Sequence, residues 1–486
     1  MMHAMRLLFC LFVLGMATVA RAEDALPVEQ IDARLRHAYA LAKETNNRLL
    51  VEEMLTGRDT VTRAIGRQDG ALVERLLRDM EKQVGLDPGG KTMAGLPVAV
   101  LTYAEQKQLA EIGKKLTAAM KAGKTEDVQA GVAEMKKLLG DRAGVPDSRR
   151  KGESPAVIPV KPAELADLFV RILDAEQAKL KSFAVGKPLP AALPRDYANI
   201  AEGCVAFRPL VEKYQPKKLD VVDQLIAGCC ESMVALQTEA GFFKFPDLRG
   251  KHIRFGEMIE QLVEQSAGNV EDGFLIVPAP DGGSQFDAGE CGVALLRAGA
   301  ALKKPDWTKA GLKAAAWAKA CPPVATFNYN AFSVHLLCEA YRHTHEDAYR
   351  VAALATWNVG VAPGQTPNGR WIDPHNARTV YHFIMLRAAN DLLELDPPVK
   401  NRDGIAESVQ LAVKAALDEA DKLGAPVTSY TVAELSRAGA LAGITDPRLK
   451  TRLEQAATAA HLRCVKGGVK AATPFPELAA VAGVWK

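Results

Sequence analysis

Apolar residues recur at helical spacing along almost the whole chain, and the alternating β-branched runs that mark strands are nearly absent, so the pattern predicts an all-α protein. Four amphipathic stretches fill 23–140, namely VEQIDARLRHAYALAKETNNRLLVEEMLTG, GALVERLLRDMEKQVG, YAEQKQLAEIGKKLTAAMKAG and TEDVQAGVAEMKKLLG. Each sets lysine and glutamate opposite an apolar stripe, which suits a helical accessory region able to dock a protein partner. Periodicity stops over 141–162 in DRAGVPDSRRKGESPAVIPVKP, read as a linker, so the second domain is placed at 163–486.

After Pro188 a helix–turn–helix rhythm sets in. Pairs are predicted near 192–211 with 218–238, 252–267 with 287–303, 306–320 with 328–344, 346–361 with 375–395, 403–423 with 427–442, and 446–464 with the C-terminal stretch. A helix pair cannot bury its apolar face alone, so such hairpins stack on one another. First members such as WTKAGLKAAAWAKAC carry a charged face and are read as outer helices. Second members such as YNAFSVHLLCEAYRH are apolar round most of their circumference and polar at their starts, as inner helices are. The expected fold is an (α/α) toroid of helical hairpins behind a helical N-terminal region, with the polar starts around one mouth.

The first 22 residues change the picture of location. A basic start, the run LLFCLFVLGMATVA and a small-x-small ending at Ala20-Arg21-Ala22 form a secretory signal layout, so the protein is expected to be exported, periplasmic or extracellular, without a membrane span. The formal charge of +3 falls to +1 once Arg6 and Arg21 leave with the signal, which gives no electrostatic reason for a nucleic-acid partner. Of eight cysteines only Cys10 lies in the signal; the others are irregularly spaced in apolar helical context and read as buried small hydrophobes. There is no CxxC, no zinc-ligand spacing, and no motif that assigns a metal or cofactor.

Candidate chemistry concentrates between Phe327 and Leu395, where five of the nine histidines fall. In NGRWIDPHNAR, Asp373 suits an N-cap with Pro374 at the first helical position, and His375, Arg378 and His382 then share one helix face at i, i+3 and i+7. In NYNAFSVHLLCEAYRH, Asn328 or Asn330 suits a cap, and His335, Glu339 and Arg342 share a second face. Asp287 and Glu290 in FDAGE resemble an Asp variant of the capping box, yet they also offer the carboxylates a glycosidase needs. Trp357 is assigned to the core. Trp371 is expected as an exposed indole at the mouth, where Tyr430 opens the next inner helix; Gln237 and the aromatics from Phe242 to Phe245 offer a further surface for sugar rings.

The alternation of inner and outer helices, with the segments ALQTEAGFFKFPDLRG, DGGSQFDAGECGVALL and NGRWIDPHNARTVYH, resembles the α/α-toroid carbohydrate-active enzymes, the polysaccharide lyases and six-hairpin glycosidases. The resemblance covers 188–486 and lies in layout. It implies a polysaccharide or oligosaccharide partner and, first, β-elimination on an acidic polysaccharide. That reaction needs a carboxylate neutraliser (Asn330 or Asn376 with Arg378), a base (His335 or His375) and an acid for the leaving oxygen (Tyr329 or Tyr430). Trp371, Asp287, Glu290, His382 and Asp373 would complete the binding surface. The alternatives are a glycoside hydrolase using Asp287 or Glu290 with Asp373, and a non-catalytic envelope scaffold whose polar helix starts satisfy one another.

Overall fold

The computed structural model describes residues 28–44, 61, 70–83, 103–139, 156–249, 259, 263, 269–279, 282–372, 382–423 and 429–467, with some side chains inside those helices left out, Tyr430 and Cys464 among them. Among the described residues the protein is all-α apart from three two-residue strands, and none of the described helices is long and apolar enough to cross a membrane. The signal segment, most of the 141–162 linker and residues 373–381 lie outside the described residues. The chain divides into two compact units, 1–102 with 147–149 and 103–146 with 150–486.

In the first unit, α1 (Val28–Glu44) and α2 (Gly70–Gln83) share a core of Ile31, Leu35, Leu41, Val73, Leu77 and Met80. Arg34 is buried in it and donates to Glu81 Oε1 at 2.6 Å and Glu74 Oε2 at 2.6 Å. A guanidinium is tolerated there because two carboxylates meet it.

The second unit begins with the hairpin α3 (Tyr103–Lys121) and α4 (Thr125–Leu139), which the sequence reading assigns to the accessory region. Two contacts tie this hairpin to the body. Lys136 Nζ donates to Pro363 O at 3.3 Å and Gln365 O at 2.9 Å, and Ala325 N donates to Thr117 Oγ1 at 3.2 Å. The half-buried ammonium, with these carbonyls as its partners among the described residues, has a lowered pKa, because burial disfavours its charge.

The body continues with α5 (Pro162–Ala175), α6 (Gln177–Phe183), α7 (Pro194–Tyr214), α8 (Leu219–Leu236), α9 (Gly283–Ala301), α10 (Pro305–Ala320), α11 (Phe327–Thr344), α12 (Asp347–Gly360), α13 (His382–Leu393), α14 (Arg402–Leu423), α15 (Ser429–Leu441) and α16 (Arg448–Gly467). Helices α5, α7, α9, α11, α13 and α15 pack on one another in succession as a row. The rest, α8, α10, α12, α14 and α16, each cover the row from one side. Phe169 of α5 stacks on Phe207 of α7 with centroids 4.4 Å apart; burying two such rings contributes about 1.5–3 kcal/mol each. At the other end Ile158 N donates to Thr458 Oγ1 at 3.1 Å, so the segment entering α5 lies against α16.

Most of the inner and outer assignments agree with the sequence reading, but the first pair is inverted. Pro194–Tyr214 lies in the row, while Leu219–Leu236 exposes Val221, Gln224 and Glu231 as an outer helix does. The phase changes across 244–282. Among its described residues is a small antiparallel sheet in the order β1 (Phe245–Pro246), β3 (Phe274–Leu275), β2 (Val270–Glu271), over Leu248 and Ile259. The helix expected over 252–267 is described at only two positions.

Two turns that come after outer helices are built alike. In QTEAGFF, Gln237 bridges Phe243, Thr238 N donates to Phe242 O at 2.8 Å, and Gln237 Nε2 donates to Ala310 O of α10 at 2.8 Å. In QTPNGRW, Gln365 bridges Trp371, Thr366 N donates to Arg370 O at 2.6 Å, and Gln365 Nε2 donates to Ser408 O of α14 at 2.9 Å. Gly241 (φ 110) and Gly369 (φ 85) take left-handed backbone in the two turns. A Cβ at either would also strike a carbonyl of the next outer helix, Lys313 O at 2.5 Å or Leu411 O at 2.1 Å, so only glycine fits.

Candidate functional site

The row helices carry charge where an inner helix ought to be apolar. Arg195 and Glu202 on α7, Asp287, Glu290 and Arg297 on α9, Asn328, His335, Glu339 and Arg342 on α11, Arg387, Asp391 and Glu394 on α13, and Glu434 and Arg437 on α15 recur at three-, four- and seven-residue steps. That spacing puts each set on one face of its helix, and ion pairs between helices show that the faces meet.

Toward the helix ends the charges satisfy one another. Arg297 bonds Glu202 at 2.8 Å and Glu339 at 3.0 Å; Arg342 bonds Glu339, Asp391 and Glu394, each at 3.1 Å. Arg437 bonds Asp391 Oδ1 at 2.8 Å, Glu394 at 2.7 Å and Glu434 at 2.9 Å. Asp391 is fully buried, and its second oxygen accepts from His335 Nδ1. Burial alone would raise its pKa, yet His335, Arg437 and Arg342 together hold it well below the carboxylate range. A carboxylate only accepts, so His335 Nδ1 is the donor of this pair, and Nε2 is buried without a hydrogen-bond partner among the described residues.

Toward the helix starts the pairing is incomplete. Arg195 Nε and Asp287 Oδ1 stand 2.9 Å apart but out of hydrogen-bond alignment, and neither has another partner among the described residues. Arg387 bonds Glu290 Oε1 at 2.8 Å while its Nε is buried and unpartnered. Burial pushes the Asp287 carboxyl up to about 6 although Arg195 pulls it down, and burial likewise raises Glu202 against the pull of Arg297. Gly289 lets α9 and α11 close up here, since a Cβ would meet Phe332 O at 2.8 Å.

Several candidates from the sequence take other roles. Asn330 does not cap α11, whose N-cap is Thr326; it is buried with Oδ1 accepting from Val324 N at 2.9 Å and Nδ2 donating to Val324 O and Gly360 O at 2.7 and 2.8 Å. That amide is spent on backbone and has nothing left for a substrate. Asp287 and Glu290 do not form a capping box, because α9 already begins at Gly283 behind Gly282. Trp371 is not an exposed platform: it is 4% exposed, donates Nε1 to Val361 O at 3.1 Å, and packs edge-on to Trp357, itself in the core as expected. The pairing of Trp371 with Gln365 draws the indole inward. His382 turns to the outer layer, with Nε2 3.1 Å from Ala412 O, and burial and Arg370 hold it neutral. Gln237 and Phe242 belong to inter-hairpin packing, Phe242 against Trp317 at 5.7 Å.

Tyr329 is buried and stacks on Phe286 at 6.2 Å, beside the incompletely paired end. Asp373, His375, Asn376 and Arg378 lie outside the described residues, as does the side chain of Tyr430. Of the predicted set, Tyr329 meets Phe286 of α9, His335 meets Asp391 of α13, Asp287 meets Arg195 of α7 and Glu290 meets Arg387 of α13. Sequence reasoning missed Arg195, Glu202, Arg387 and Asp391. Their signal was available, a charge inside an otherwise apolar helix such as FIMLRAANDLL, where burial demands a partner. No known protein-family model matches the chain, and no curated protein sequence does.

Proposed function

We propose that the row of inner helices closes into an (α/α) toroid and that this exported protein cleaves an acidic polysaccharide by β-elimination, with His335 as the base. The observation that carries the reading is the placement of His335: Asp391 takes its Nδ1–H, so Nε2, buried without a hydrogen-bond partner among the described residues, is the nitrogen that holds the lone pair whenever the ring is neutral. A base for the proton beside a uronate carboxylate needs that tautomer and orientation. The ion pairs explain why the site does not behave as a carboxylate cluster. The glutamates and aspartates of these ion pairs each have an arginine against them, and the atoms without a hydrogen-bond partner among the described residues include His335 Nε2 and the Nε donors of Arg195 and Arg387, groups that suit elimination. Tyr329 is the described hydroxyl nearest the role of acid for the leaving oxygen. Closure of the ring is supported by the Ile158–Thr458 bond between the two ends of the body.

A second reading, hydrolysis, is favoured by one observation. Asp287, raised to about 6 beside Glu290, has the environment of a carboxylic acid that stays protonated into the mildly acidic range. One assay separates the two. Incubated with acidic polysaccharides, the full chain is expected to release unsaturated uronate products that absorb in the ultraviolet, and His335→Ala is expected to slow release roughly 10²–10⁴-fold. New reducing ends without that absorbance would select hydrolysis. Neither product from acidic or neutral polymers would leave the scaffold reading.

A further inference from the structure

At the helix starts four side chains from four row helices form one stack. The Arg195 guanidinium carbon lies 4.1 Å from the Phe286 ring centre, Phe286 stacks on Phe332 at 4.2 Å, and Arg387 caps the far face of Phe332 at 5.2 Å. Phe245 and Phe383 flank the two arginines at 5.9 and 6.0 Å. A guanidinium lying flat on a ring uses its face there and directs its N–H donors outward in its own plane. Those edges are underused. Arg195 meets Asp287 without alignment, Arg387 gives Glu290 one bond, and each Nε is a buried donor with no partner among the described residues. An unmade bond from a buried charged donor is costly, and a purely structural ion pair would have closed it. The side chains retain 22% and 13% exposure, while each Nε itself is buried.

We infer that Arg195 and Arg387 are a two-point receptor for carboxylate groups of one bound saccharide, with Asp287 and Glu290 as resident carboxylates that the ligand displaces. The inference rests on the acidic-saccharide reading and adds to it the residues that choose charge. The phenyl pair holds the two guanidinium groups apart, and the resident carboxylates keep the arginines neutralised until a ligand arrives. The site therefore selects a ligand with more than one acidic group, since a single carboxylate replaces only one of the two partners.

The test is calorimetric titration of the full chain with a hexuronate oligosaccharide and with the same oligosaccharide carboxyl-reduced to its neutral form. The wild type is expected to bind the acidic oligomer and not the neutral one. Glu290→Gln removes the competitor from Arg387 and is expected to tighten acidic binding several-fold, an effect that a merely structural ion pair cannot produce. Arg387→Gln alone leaves a buried carboxylate uncompensated, so the paired variant Arg387→Gln/Glu290→Gln is the folded control, expected to lose roughly tenfold or more in affinity. Equal binding of both oligomers, or weaker acidic binding by Glu290→Gln, would overturn the receptor and leave a carbohydrate site standing. Binding of neither oligomer would overturn the carbohydrate reading along with it.

Discussion

Asp287 and Asp391 are both buried aspartates on row helices, yet their environments push them in opposite directions. Asp391 sits among His335, Arg342 and Arg437 and is held far below the usual range; Asp287 has one misaligned arginine and is raised to about 6. Burial is the common factor, so the number and alignment of partners decide the sign. The helix-end region is closed by mutual satisfaction, as a framework is. The helix-start region keeps donors in reserve, as a binding surface does.

The largest expected effect breaks the closed region. Asp391→Asn leaves two half-buried guanidinium groups and the buried His335 ring short of a partner, and urea denaturation is expected to show a loss of roughly 3 kcal/mol. A loss below about 1 kcal/mol would mean that the closed region is not a framework at all.

A smaller effect sharpens the contrast through pH. The folded pKa of Asp287 lies above its unfolded value near 3.9, so its contribution is fully present below that value and fades as pH rises through about 6. Between pH 5 and pH 7 the wild type should lose about 1 kcal/mol that Asp287→Asn does not lose. Asp391, with its pKa depressed, stabilises above its unfolded value and loses that contribution only as pH falls below about 4. The two windows do not overlap, so one stability profile reads both ends of the site. Smallest are the Gln turns. Gln365→Ala and Gln237→Ala should each cost about 1 kcal/mol in thermal denaturation, and unequal costs would show that the twin turns differ in their work.

The helical class and the alternation of layers were legible because burial on all sides removes the polar face from an inner helix, as in AGECGVALLRAGAAL. His335 was legible as a buried polar residue for the same reason. The framework was not, since Arg387 meets Glu290 across 97 residues and Arg297 meets Glu202 across 95, and no local spacing encodes such pairings. Trp371 misled because a polar, glycine-rich neighbourhood suggested exposure. The glycine is there to let the turn approach α14, which carries the indole into the core. The capping-box reading of Asp287 and Glu290 failed because Gly282, with φ 90, starts the helix five residues earlier than Asp287.

The twin turns have a consequence for how the body tolerates change. Each Gln turn measures the gap from one outer helix to the next with the same three parts: a glutamine that reaches a carbonyl, a glycine that grazes another carbonyl three residues on, and an aromatic that locks the return. Such a turn is a spacer of fixed length, indifferent to the chain beyond it. After QTEAGFF some forty residues, with a small sheet among those described, precede α9, and after QTPNGRW only ten precede α13, yet both outer helices are indexed alike. The excursions are thereby decoupled from the frame. Connections leading into the row can lengthen, shorten or change chemistry while the helices that hold His335 keep their places.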